Sequence, residues 1–297
     1  MKPAAPEHIG LMLTDRCPLR CGHCLYACSP QRGEDASPER VAATLDDLER
    51  LGWREVPVHL GGGEPFLVFE TLFVATGEVV QRGFHLEFVE TSGSWYNRRE
   101  QAVPWLHLLR LAGLRRLLVS ATAFHLNQSF GDRWRELVEV ARGIFGDKAV
   151  EVERSSQLTL GGRAPYAMRT TLPATPAAEL DCNAQARLLG RRKWHIGPDG
   201  RVHSGYCAGI AFPADTGVGN WYLNFDLEDW PVAKALVHGG LTSLLAMAER
   251  EAGFQPNPCG YVSECHLCQE ARLALWQLRR YPELGPDGFY RELEVCR

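Results

Sequence analysis

Four cysteines crowd the first tenth of the chain, at Cys17, Cys21, Cys24 and Cys28, and the first three stand at the spacing Cys-x3-Cys-x2-Cys. Three thiolates converging from so tight a loop can hold three irons of a [4Fe-4S] cluster and leave the fourth iron open to a ligand. The same residues suit a structural zinc ion, which wants a fourth ligand, and either Cys28 or His23 is available. Six further cysteines, Cys182, Cys207, Cys259, Cys265, Cys268 and Cys296, follow an interval of 153 residues that contains none. Two separate sites are implied. In a reducing compartment such clusters are metal ligands sooner than disulfides. Cys265 and Cys268 fall three apart at the start of a predicted helix, so they share a face, and the helix dipole favours their thiolates. Cys207 comes after a PDG turn, as a hairpin would present it. A structural zinc ion is again the alternative. Cys296, beside the last residue, reads as a free thiol, and His195, His203 and His266 as reserve ligands that more often serve hydrogen bonding.

The elements that must position these residues are legible in the first half. Apolar β-like runs at 9–13, 56–60, 86–90, 116–120 and 150–154 alternate with helical spacing at 38–51, 67–81, 99–111 and 133–144. Ser37 stands as the N-cap before Pro38. Such alternation builds a parallel sheet, open or closed into a barrel, with functional residues at the C-terminal strand ends. The cysteine motif follows the first strand, GGGEP the second, and Thr91 and Ser92 the third, while Ser120 closes the fourth. Taken alone, GGGEP is a turn. A stretch rich in Pro, Thr and Ala at 160–176 marks a boundary, giving expected units of 1–165 and 166–297. The second is irregular, with a helix expected from about 264 to 281, and its loop content suggests a small unit held partly by metal rather than by a large core.

Composition sets outer limits. With 32 Lys plus Arg against 36 Asp plus Glu, the formal net charge is -4, so no global basic field points to nucleic acid or an anionic membrane. The N-terminal residues lack the long apolar stretch of a secretory signal, and no segment is expected to approach the apolar length that crosses a bilayer. A cytoplasmic protein is expected.

CPLRCGHC after a first strand, together with GGGEP after the second, resembles the radical S-adenosylmethionine (SAM) superfamily, whose hallmark is CxxxCxxC followed by a GGE element. The resemblance covers roughly the first 165 residues and implies a partial (β/α)6 barrel. It implies that Cys17, Cys21 and Cys24 ligate a [4Fe-4S] cluster whose open iron binds SAM. Gly62, Gly63 and Glu64 then lie along the methionine end of SAM, where Glu64 can pair with the ammonium. The backbone of His23 faces adenine, and Thr91, Ser92 and Ser120 become ribose, carboxylate or substrate contacts. The Asp common after that serine is replaced here by Ala121, Thr122 and Ala123. His125 could face the substrate, and Cys28 could donate a hydrogen atom to a substrate radical. The later residues resemble the auxiliary-cluster domains called SPASM or twitch. The matching features are a GRA element (Gly162, Arg163, Ala164), the PDG hairpin, a GN pair (Gly219, Asn220) and the late CxxC. One auxiliary [4Fe-4S] cluster is implied, held by Cys207, Cys265 and Cys268 with either Cys182 or Cys259.

The activity implied is reductive cleavage of SAM to a 5'-deoxyadenosyl radical that abstracts hydrogen from a substrate. A peptide undergoing epimerisation or crosslinking leads, a small-molecule alcohol undergoing dehydrogenation follows, and an external flavodoxin or ferredoxin supplies electrons. A non-catalytic metal-binding protein is the reading from another class. GGGEP speaks against that reading, because a metal scaffold needs no site for methionine.

Overall fold

A computed structural model describes residues 1–126, 133–155 and 158–297. Its centre is one open seven-stranded sheet in the order β5-β4-β3-β2-β1-β6-β7. The strands are β1 (His8–Met12), β2 (Val58–Gly61), β3 (Leu86–Thr91), β4 (Leu117–Ser120), β5 (Val150–Glu153), β6 (Lys193–Ile196) and β7 (Val202–Ser204). β1 to β6 run parallel and β7 returns antiparallel to β6. Every residue of β1 is buried, as befits a parallel strand flanked on both edges.

The crossovers are α1 (Pro38–Arg50), α2 (Phe69–Gln81), α3 (Arg99–Leu111) and, after the short α4 (Ala123–Leu126), α5 (Arg133–Phe145). α1 starts as its sequence dictates: Ser37 Oγ accepts from the Arg40 amide at 3.2 Å, Pro38 fills the first turn, and Val41, Leu45 and Leu48 form the buried stripe. All five expected strands and the four helices expected in the first half are present, within about two residues at most ends, and the late helix expected at 264–281 starts at Glu264 but ends at Trp276.

The sixth parallel strand comes from residues past the boundary expected at 165, and it stands beside β1 rather than beyond β5. The helices there are α6 (Ala164–Met168), α7 (Ala184–Leu188), α8 (Val218–Leu223), α9 (Pro231–Ala252), α10 (Glu264–Trp276) and α11 (Asp287–Cys296). The expectation of a late unit without a large core is not met, since Val232, Leu244, Leu273 and Leu293 join one apolar cluster with Ile9, Leu45 and Val119. The expectation about apolar length also needs correction. α9 is long and apolar enough to cross a membrane by length and composition. It is interrupted by non-helical backbone at Gly239 and Gly240, and it buries Val232, Leu236, Leu241 and Leu244 in the core, which accounts for its apolarity.

Candidate functional site

The loops at the C-terminal ends of β1 to β4 surround one cavity of about 790 Å³. Cys17, Cys21, Cys24 and Cys28 line it, as do His23, Gly62, Gly63, Thr91, Ser92, Ser120 and His125. The two sequence motifs meet by backbone pairing: Gly63 N–H donates to Thr14 O at 2.7 Å and Glu64 N–H to Arg16 O at 2.9 Å. A Cβ on Gly62 or Gly63 would collide with those same backbones, so the close approach these glycines permit is to the cysteine loop.

Glu64 is fully buried. Its carboxylate accepts from Thr91 Oγ1 at 2.8 and 2.9 Å, Ser92 Oγ at 2.6 Å and Ser92 N at 3.1 Å. Burial pushes its pKa up to about 7 against these donors, which favour the ionised form. Thr91 and Ser92 thus hold Glu64 as well as lining the cavity.

Among the cysteines, burial drives Cys17 up, and it drives Cys21 up to about 12. Cys24 is held well below the ordinary thiol range, first by its side-chain hydrogen bond with Cys28, which is raised in turn. The Cys28 amide also donates to Cys24 Sγ at 3.3 Å. Beneath the loop the buried Arg163 guanidinium donates to Cys21 O at 3.0 Å, to Cys28 O at 2.7 Å and to Glu292 Oε2 at 3.3 Å. His23 stacks on Phe124 at 4.6 Å and meets His125 edge-on at 4.8 Å, and its buried Nδ1 has no partner. His125 Nδ1 lies 2.9 Å from Thr122 Oγ1, and burial lowers its pKa to about 4, so its imidazole is neutral.

This set fits the cluster and SAM that the motifs imply. Three thiols, those of Cys17 and Cys21 buried and that of Cys24 half-buried, a cation behind their loop and an unpartnered ring nitrogen all border one cavity. Among the described residues no three His, Cys, Asp or Glu side chains close on a single metal-ion position. A four-iron cluster holds its thiolates farther apart than one ion does, because they sit on different irons.

The late cysteines divide. Burial raises Cys207 and lifts Cys265 to about 12, and Cys182, Cys207 and Cys265 each lie near enough to Cys268 to be raised further by it. Arg187 Nη1 donates to Cys265 Sγ and Arg272 Nε to Cys268 Sγ, both at 3.3 Å, so two guanidinium groups face this set. Cys259 is exposed and stands outside it, leaving Cys182 as the fourth member. None of the three reserve histidines joins: His266 packs edge-on to Tyr166 and Tyr261, His195 bonds Tyr26, and His203 meets the Tyr26 ring. Cys296 Sγ accepts from Arg20 at 3.5 Å.

The GRA element straps the two cysteine sets together. Gly162, at φ 58°, packs where a Cβ would strike the Cys24 and Leu25 carbonyls. Its amide donates to Gln269 Oε1 at 2.5 Å, and Gln269, next to Cys268, returns a bond to Gly162 O at 3.0 Å. Tyr26 lies between the sets, raised by burial and facing Cys24 and Cys28 on one side and Cys207 on the other.

Sequence reasoning missed the cavity floor, where Glu90, Glu153, Lys193 and His59 point inward from β2, β3, β5 and β6 beside His195, which was read only as a reserve metal ligand. Ser120 Oγ donates to Glu90 Oε1 at 3.0 Å, and burial raises that carboxyl while Lys193 opposes the rise. The available signal was polar residues at alternate positions of otherwise apolar strands, 193 and 195 above all.

No family model matches the chain and no curated protein matches it in sequence. Among solved structures, it is similar to that of BtrN in complex with AdoMet and 2-DOIA, at 16% identity, TM-score 0.46, covering 69% of this chain and 74% of that one. It is also similar to native anSMEcpe with bound AdoMet, at 15% identity and TM-score 0.35, covering 49% and 43% of the two chains.

Proposed function

We propose that this chain is a radical SAM enzyme that abstracts hydrogen from a small polar substrate and completes its dehydrogenation. The observation that carries this reading is the meeting of CPLRCGHC and GGGEP at the wall of one cavity, locked by the Gly63–Thr14 and Glu64–Arg16 backbone bonds. Cys17, Cys21 and Cys24 would hold the first [4Fe-4S] cluster, and Cys182, Cys207, Cys265 and Cys268 the second. When bound, the first cluster supplies one electron, from a flavodoxin or ferredoxin, for breaking a carbon–sulfur bond of SAM.

The protein's own residues supply binding and orientation. Arg163 offsets the negative charge of the thiolate loop, and Glu64, fixed by Thr91 and Ser92, sets the charge beside the methionine end. The cavity lies within the size range of small-molecule sites. Its floor of Glu90, Glu153 and Lys193 suits a compact molecule bearing hydroxyl or amine groups. Tyr206, next to Cys207, reaches the cavity wall, which favours oxidation with the second cysteine set as electron acceptor. A peptide offering one side chain to the same floor is the second reading.

The test is anaerobic reconstitution followed by reduction with dithionite in the presence of SAM. About eight irons per chain are expected in two [4Fe-4S] clusters, with 5'-deoxyadenosine formed and the paramagnetic spectrum of one cluster shifted by SAM. Protein that binds iron, ignores SAM and makes no 5'-deoxyadenosine would refute the reading.

A further inference from the structure

From the cavity floor a file of imidazoles runs along the sheet. Gly10, in the middle of β1, is in register with His59 of β2 on one side and His195 of β6 on the other. A Cβ at Gly10 would collide with both rings, and His59 Nε2 lies only 2.7 Å from that point. The two rings meet at 5.3 Å and 74°. His195 Nδ1 is 2.8 Å from the Tyr26 hydroxyl, which orients the ring. On the far side His59 Nδ1 is 2.8 Å from His8 Nε2, and that same nitrogen is 3.4 Å from Glu87 Oε2. His59 and His195 border the cavity, whereas the Glu87 side chain is 29% exposed.

Central parallel strands ordinarily carry Val, Ile or Leu, and a glycine inside one weakens it. Here three strands give up that packing to seat three imidazoles in a line. Burial keeps them neutral, with His8 and His59 below the usual histidine range and His195 at about 3. A neutral imidazole accepts a proton on one nitrogen while releasing one from the other.

We propose that His195, His59, His8 and Glu87 form a proton exit from the substrate cavity to the opposite end of the sheet. The inference rests on the dehydrogenase reading. Oxidising a CH–OH group to a carbonyl removes a hydrogen atom, a proton and an electron. The hydrogen atom goes to the 5'-deoxyadenosyl group and the electron to a one-electron iron–sulfur acceptor. The proton leaves the hydroxyl at the His195–His59 pair, passes from His59 Nδ1 to His8 Nε2, and goes from there to Glu87 and water. His8 receives the proton on the nitrogen that also lies nearest Glu87, so its ring must turn from His59 toward Glu87 to hand the proton on.

Imidazole nitrogen NMR on the unreconstituted protein tests the wire apart from any radical chemistry. Glu87→Gln, at a partly exposed position, should slow solvent exchange of the proton shared by His8 and His59 at least ten-fold while β1 and β2 amide protection stays unchanged. In reconstituted enzyme His8→Gln, at a position that does not itself line the cavity, should lower product formed per 5'-deoxyadenosine at least ten-fold. Unchanged exchange in Glu87→Gln, or unchanged coupling in a folded His8→Gln, overturns the proposal. A wild-type enzyme that makes no 5'-deoxyadenosine would instead refute the radical reading and leave the exchange result standing.

Discussion

Arg163→Met should be among the most damaging single changes outside the cysteines. The guanidinium is 2% exposed and bonds Cys21 O, Cys28 O and Glu292. Cys21 O keeps the Cys24 amide, and Glu292 keeps Ser29 Oγ and Arg20 Nε, so those two are only partly stripped. Cys28 O, buried beside Cys24, loses its charged donor outright. Bonds to charged groups are worth about 1.5–3 kcal/mol each and a stranded buried acceptor costs about 1–3 kcal/mol, so the total comes to about 4 kcal/mol. For a chain of this size that is a fall of roughly 8 °C in midpoint. Thermal unfolding followed by circular dichroism measures it, on protein without iron so that cluster loss does not contribute. Arg163→Lys, which can restore only one of the three bonds, should fall between. A midpoint for Arg163→Met within about 2 °C of wild type would mean the guanidinium does not hold the cysteine loop.

Gly162→Ala should cost several-fold in iron content at both sites, because a Cβ at φ 58° strikes the Cys24 and Leu25 carbonyls and displaces the strap that also bonds Gln269; wild-type iron would contradict it. Cys182→Ala should reduce iron to about four per chain while Cys259→Ala leaves about eight, and iron analysis of equal outcome for the two would undo the choice of Cys182. Glu64 has a folded pKa raised to about 7 over an ordinary 4.5, so the fold binds its proton more tightly than the unfolded chain. Its contribution is full below the unfolded value and is lost as pH rises to about 7, by about 2–4 kcal/mol at most. Urea unfolding at several pH values should therefore show a drop between pH 4.5 and 7 that is smaller in Glu64→Gln, and identical profiles would count against a buried, strained carboxyl.

The first half of the fold was legible because its strands are short apolar runs and its helices carry clean buried stripes, as in Val41, Leu45 and Leu48. The PDG hairpin was legible too, as β6 and β7 on either side of residues 197–201. Its docking was not, because Lys193 and His195 make β6 read as an exposed ribbon, and only the glycine at position 10 of β1 gives their rings room. α9 was hidden by the Gly239–Gly240 break, which divides one apolar helix into two unconvincing halves. The cysteine spacing named the first thiol set. Spacing could not choose between Cys182 and Cys259: Cys259 is six residues from Cys265 yet exposed, whereas Cys182 is brought to the set only by the return of the chain.

The placement of β6 against β1 has a consequence for how the chain is made. Leu11 pairs with Ile196, about 185 residues downstream. At translation rates of about 5–20 residues per second, the outer edge of β1 waits roughly 10–40 s after synthesis before its neighbour exists. Throughout that interval an apolar strand presents unpaired amides and carbonyls, the kind of edge that recruits foreign strands. A nascent chain arrested at residue 165 would carry every cysteine of the first set in the loop after a strand that is still half open. Loading of metal before β6 is made would act on an unfinished scaffold, so a strand made long after β1 sets the time at which the first-made loop is ready.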